Sequence, residues 1–172
     1  MNKTESLSKD TIRIVKNSAQ QITQHCEEIT LTMYPILFEK YPQLKKQFAK
    51  APDNQHMKLA EAISAYAINI ERLDRLAPAL MVIAKRHVQT NVRPSQYIYV
   101  EDALLSAMCI VLKEEKNSEL MTAWSEAYWY IAEVLINMER TLCMEKSKKN
   151  VTKCEHYKDS ISDLKNANQA LS

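Results

Sequence analysis

The chain has 172 residues, 46% of them hydrophobic and 26% charged, and it contains no glycine. That length suits one domain with a tail, and the missing glycines exclude glycine-rich phosphate loops, dinucleotide-binding turns, nucleophile elbows and EF-hand loops. Residues 1–142 hold 17 basic and 17 acidic side chains, so the formal net charge of +2 comes from residues 143–172, with 6 basic and 4 acidic. A neutral body argues against a nucleic-acid partner. With no glycine and 5 prolines the chain is poor in turn formers, so an all-α fold is expected.

In chain order, Ser8 is a candidate N-cap, and Ile12, Val15, Ala19 and Ile22 then recur at helical spacing. A second helix is expected over about 26–40, with Ile29, Met33 and Leu37 as its stripe and Pro35 bending it. Pro42 opens a short helical segment to Phe48, and residues 49–54 read as a loop. Helices follow over 55–71, through Leu59, Ile63, Tyr66 and Ala67, and over 76–87, through Leu80, Ile83, Ala84 and His87. Pro94 starts a helix to about Lys113. The last runs to about Cys143, and its expected apolar face is Trp124, Ala127, Ile131, Val134, Leu135 and Met138. The sequence divides into a body, 1–142, and a polar tail, 143–172, expected to be flexible with a weak helix near 159–170.

Cys26, Cys109, Cys143 and Cys154 include no CxxC pair, and Cys26 and Cys109 read as small buried hydrophobes. There is no apolar signal core, and the longest apolar run is far too short to span a bilayer, so a cytoplasmic protein with reduced thiols and no membrane contact is expected. The four histidines, His25, His56, His87 and His156, form no HxxxH or HExxH pair. His25 reads as a polar cap at a helix junction and His156 as solvated. His87 ends an apolar helical stripe. It is either a part-buried histidine bonded to a backbone carbonyl or a single axial ligand to a haem iron. Tyr34, Phe48 and Gln55 each read equally well as packing or surface residues.

Four blocks then matter together: YPQLKKQF at 41–48, AISAYAINIERL at 62–73, AKRHVQTNVRPSQY at 84–97 and AWSEAYWYIAEVLINME at 123–139. In order and spacing, from about Leu7 to Thr141, the chain resembles bacterial globins: the globin domain of flavohaemoglobins and single-domain bacterial haemoglobins. The resemblance implies a globin fold with helices packed around a haem pocket, and haem b (iron protoporphyrin IX) as cofactor. His87 matches the proximal iron ligand, and Tyr97 a proximal tyrosine that orients it. Phe48 matches the phenylalanine stacked on the haem edge. Tyr34 matches the distal tyrosine that stabilises bound oxygen, with Gln55 and Leu59 as distal neighbours. Ile63 and Val92 are implied as further haem contacts.

The implied function is reversible O2 binding, as in oxygen transport, with NO and CO as further gas ligands. Nitric-oxide dioxygenation and haem-based gas sensing are the alternatives. The sequence holds no flavin- or nicotinamide-binding segment, so an external reductase is the expected partner for any turnover. A homodimer is the candidate assembly. Flavohaemoglobins complete the proximal group with a buried glutamate near the end of the last helix. The resemblance places Thr141 there and expects Glu139 to point elsewhere, which would weaken the electron push on the histidine. Trp129 stands where the family often has a small residue.

Overall fold

The computed structural model describes residues 6–146, 154, 156–157 and 163–166. The described residues include no strand, and their main α-helices are α1 (Lys9–Lys40), α2 (Lys45–Phe48), α3 (Gln55–Ile68), α4 (Ala77–Gln89), α5 (Gln96–Leu112) and α6 (Glu119–Lys146). Single 3-10 turns, Pro42–Leu44 and Leu73–Leu76, lead into α2 and α4. No helix among the described residues is long and apolar enough to cross a membrane.

The two helices expected before Pro42 are one. Helix α1 runs unbroken for 32 residues, about 48 Å at 1.5 Å per residue, from the Ser8 cap, whose side chain accepts from the Thr11 amide. Val15, Ser18, Ile22, Ile29, Met33 and Leu37 are buried along one stripe, and half-buried Cys26 fills its middle step. The polar stretch Thr23–His25 only turns its side chains to solvent, and without glycine or proline nothing there stops the helix. His25 is therefore mid-helix, with Nδ1 3.3 Å from Glu28, and not at a junction. Pro35 is tolerated because its ring is on the exposed face. The carbonyl it leaves without a donor belongs to Leu31, itself 52% exposed, where water can reach.

Helix α1 packs against α3, α5 and α6, while α4 packs on α6. The core accordingly has two parts. The larger joins the α1 stripe to Ile63, Tyr66 and Ala67 of α3, to Ala103, Leu104 and Ala107 of α5, and to Met121, Trp124 and Ala127 of α6. The smaller joins Leu80 and Ala84 of α4, Tyr97 and Ile98 of α5 and Trp129, Ala132, Leu135 and Ile136 of α6, together with Cys143, Tyr157 and Leu164. Bulky Trp129 is accommodated by a buried acid, because its indole Nε1 donates to Glu101 at 2.8 Å and Ser125 donates to the same carboxylate at 2.6 Å.

Cys143 and Cys154, expected as thiols, form a disulfide with Cα atoms 6.0 Å apart, a separation that suits the bond. Eleven positions apart in sequence, they carry no spacing signal. Cys26 and Cys109 are free and half-buried. Of the tail, Tyr157 and Leu164 are buried and residues 163–166 are helical, and the rest of the helix expected over 159–170 lies outside the described residues.

Without glycine, left-handed caps fall to other residues. Asn91 (φ 57°) follows α4 and Lys113 (φ 57°) ends α5, where the amides of Val92 and Glu114 reach back to the carbonyls of His87 at 2.9 Å and Cys109 at 3.0 Å. Asparagine tolerates this region, but lysine meets the full Cβ clash. Lys113→Gly is therefore expected to raise unfolding stability by about 1 kcal/mol in urea titration, with the larger entropy of glycine in the unfolded chain offsetting part of the gain.

Candidate functional site

The last turn of α4 presents His87, and the Asn91 cap turns the chain so that Pro94 and then Tyr97, in the first turn of α5, come back beside it. Nδ1 of His87 lies 3.0 Å from the Tyr97 hydroxyl and 2.7 Å from Oε1 of Glu139 on α6. The Tyr97 hydroxyl donates to the same Oε1 at 2.6 Å. Glu139 is fully buried, so both contacts are made away from water. These lengths are those of charge-assisted hydrogen bonds to a carboxylate. With Nδ1 as the donor, Nε2 keeps its lone pair, and among the described residues no hydrogen bond is made to it. Burial and the adjacent Glu139 charge push the Tyr97 hydroxyl well above its ordinary value, so it remains a neutral donor.

This corrects the sequence expectation at two positions. Thr141 is exposed and only caps the Asn137 carbonyl at 3.1 Å, whereas Glu139 is the carboxylate that meets His87 and Tyr97. The physical reason is a rotation of the buried face along α6. Its first half packs Trp124 and Ala127 into the larger core, and continuing that stripe through Ile131, Val134 and Met138 points to 141. Beyond Trp129, however, the buried residues are Ala132, Leu135, Ile136, Glu139 and Cys143, facing α4, and Ile131, Val134 and Met138 are only half-buried. Glu139 is three residues after Ile136 and four after Leu135. That spacing was readable, because it places the acid on a buried stripe.

On the other side, Tyr34 and Phe38, one turn apart on α1, pack with Phe48. Ring centroids are 5.7 Å (Tyr34–Phe48), 5.5 Å (Phe38–Phe48) and 5.8 Å (Tyr34–Phe38), and Phe48 is edge-on to both partners. Phe38 was given no role by sequence reasoning. Burial pushes the Tyr34 hydroxyl up to about 12, and the Gln55 side chain, its hydrogen-bond partner, opposes that shift. Tyr34 is thus a neutral donor at ordinary pH. Leu59 is half-buried and Ile63 buried on the facing side of α3, both in the larger core. Val92 is half-buried in the smaller one. Gln47 spans the gap beside Phe48, donating to the Thr90 carbonyl at 3.3 Å and accepting from Gln96 at 2.6 Å. The structure thus gathers His87, Tyr97 and Val92 with one core, and Tyr34, Gln55, Phe48, Leu59 and Ile63 with the other.

Replacing Glu139 by Leu removes the acceptor of one buried donor, Tyr97, and one half-buried donor, His87, each worth about 1–3 kcal/mol when left unmade. The expected loss is about 2–4 kcal/mol of unfolding stability, while Thr141→Val, at an exposed site, should stay within about 0.5 kcal/mol. Denaturant titration of the two variants measures the contrast directly.

Comparison with known proteins identifies the family and the fold. The globin family model matches residues 31–135. A globin-like protein of Aquifex aeolicus is 44% identical over 136 residues, covering 79% of this chain and 96% of the relative. A flavohemoprotein of Oceanobacillus iheyensis is 36% identical over 84% of this chain, which spans only 36% of that relative's length. Among solved structures, an engineered carbene transferase from Rhodothermus marinus, itself a candidate nitric oxide dioxygenase, superposes with TM-score 0.78 at 31% identity, covering 82% of this chain and 99% of the other. A globin of Campylobacter jejuni gives 0.73 at 30% identity, covering 80% and 99%. The chain belongs to the globin family, and its all-α architecture is the globin fold.

Proposed function

We propose that the body of the chain, residues 1–142, holds haem b between its two apolar cores, with Nε2 of His87 as the protein ligand to iron, and binds O2 reversibly on the Tyr34 side. The observation that carries this reading is the hydrogen bonding of His87. Nδ1 is engaged by Glu139 and Tyr97, which fixes the ring and leaves one imidazole nitrogen as a donor. The residues fit the group: an oriented neutral imidazole suits iron, and half-buried Phe48, Leu59 and Val92 offer apolar surface to a flat ligand. When bound, haem supplies a ferrous iron with a position open to O2, NO or CO. Glu139, by accepting the Nδ1 proton, makes the imidazole a stronger donor, and Tyr97 fixes the carboxylate in place. Tyr34 offers its O–H to a polar diatomic on the distal side, with Gln55 orienting that hydroxyl. Phe48, Leu59 and Ile63 keep water away from it.

A second reading is nitric-oxide dioxygenation with a separate reductase. Two observations favour it: the buried carboxylate behind His87, and relatives that are flavohemoproteins. Each turnover oxidises the iron, so this reading requires a reductase to return it to the ferrous state. NO consumption measured with and without an added reductase separates the readings.

His87→Ala should lose the five-coordinate ferrous absorption spectrum, and added imidazole should partly restore it; an unchanged spectrum overturns the ligand assignment. Tyr34→Phe keeps the ring and removes the donor. One hydrogen bond to a partly charged ligand is worth about 1.5–3 kcal/mol, so O2 release in stopped flow should quicken about 10- to 100-fold. Release within twofold of the parent (about 0.4 kcal/mol) would mean that Tyr34 does not hold the ligand.

A further inference from the structure

The proximal group has an outer layer that lies outside the family match, which ends at 135. Glu139 uses Oε1 for His87 and Tyr97, and its Oε2 faces the hydroxyl of Tyr157 at 3.5 Å. Tyr157 is only 4% exposed. Its carbonyl accepts from Nε of Arg140 at 3.0 Å, and the ring of His156 packs on it at 4.5 Å. Three residues before it, Cys154 is bonded to Cys143 on α6, one turn beyond Glu139. The disulfide therefore anchors Tyr157 to the helix that carries the carboxylate.

We propose that Tyr157 is a positioning residue for the proximal group, its ring shutting water out from Oε2 of Glu139, and that the Cys143–Cys154 disulfide makes this cover depend on redox state. At 3.5 Å the hydroxyl contact is near the limit of a hydrogen bond, so exclusion of water by the ring carries the effect. A carboxylate kept dry holds the Nδ1 proton of His87 more strongly, because the local dielectric is lower. A dithiol reductant opens the bond by thiolate exchange. Two electrons and two protons pass to Cys143 and Cys154, which become thiols, and the reductant leaves as its own disulfide. One backbone acceptor and the apolar contacts then hold Tyr157 without a covalent tether, and water reaches Oε2.

The proposal rests on the reading of His87 as iron ligand for one of its two readouts and is independent of it for the other. The first is the Fe–His stretching frequency in resonance Raman spectra of the ferrous, haem-loaded protein. Cys154→Ser and Tyr157→Ala should both shift it to lower frequency, and Tyr157→Phe, which keeps the ring, should restore the parent value. The second is hydrogen exchange of the peptide around 137–143 and of that carrying Tyr157, in haem-free protein before and after dithiothreitol. Exchange should quicken about tenfold or more on reduction. Mass spectrometry after alkylation reports the thiol state of every sample. Free thiols at 143 and 154 in air-oxidised protein overturn the proposal, as does reduction without change in exchange. An unmoved Fe–His frequency in Cys154→Ser and Tyr157→Ala overturns it too, and a Phe variant behaving like Ala overturns the role of the ring. Should haem fail to bind through His87, the ligand reading falls, and exchange alone decides the proposal.

Discussion

A single buried carboxylate organises the half of this molecule around His87. Glu139 takes its donors from two other helices, His87 at the end of α4 and Tyr97 at the start of α5, so three helices must meet to satisfy one charge. Burying an unpaired carboxylate would cost several kcal/mol, which is why the arrangement tolerates little displacement of any partner. A buried ion is weak evidence of stability as such. Its value here is geometric, because the acceptor fixes which nitrogen of His87 carries the proton and therefore which one is left to act.

The same division of labour explains the two cores. Helix α1, unbroken for 32 residues, supplies Tyr34 and Phe38 and the wall behind them, and it touches α3, α5 and α6. Helix α6 serves both sides, and its buried face rotates midway to do so. Trp129 is near the change of face. A small residue there would leave the Glu101 carboxylate without its indole donor, so the tryptophan and the buried acid are best regarded as one polar pair. Tyr128 adds a further tie, donating to the Tyr97 carbonyl at 2.7 Å. The segment bearing Tyr97 is thereby held at both its hydroxyl and its backbone.

Most of the fold was legible because apolar spacing, prolines and loop composition agree along the chain. The helices over 55–71, 76–87 and 94–113 appear with ends moved by no more than three residues, as capping depends on local geometry that periodicity does not encode. The join at 23–26 was misread because exposed polar residues resemble a break when only the apolar stripe is followed. Glu139 was missed for a different reason. The resemblance set Thr141 in its place, and the buried face of α6, which packs on α1, α4 and α5, rotates along the helix. The disulfide could not be read at all, since pairing depends on where Cys154 returns in space.

The tyrosines around Glu139 complete the electrostatic argument. Tyr97, Tyr128 and Tyr157 are all raised above the usual phenol value, first by burial and then by nearby carboxylate charge. A raised folded-state value means that the stabilisation is present in full below about pH 10 and is lost as pH climbs toward the folded-state values. The tyrosines that face Glu139 resist ionising first because they are buried and then because of the adjacent carboxylate. Such a group is strongly coupled, so loss of one member should be felt by the others rather than only at its own contact. For His87 this means that its proton is held by the whole cluster, and the chemistry at its free nitrogen inherits the integrity of side chains from α4, α5, α6 and the segment beyond.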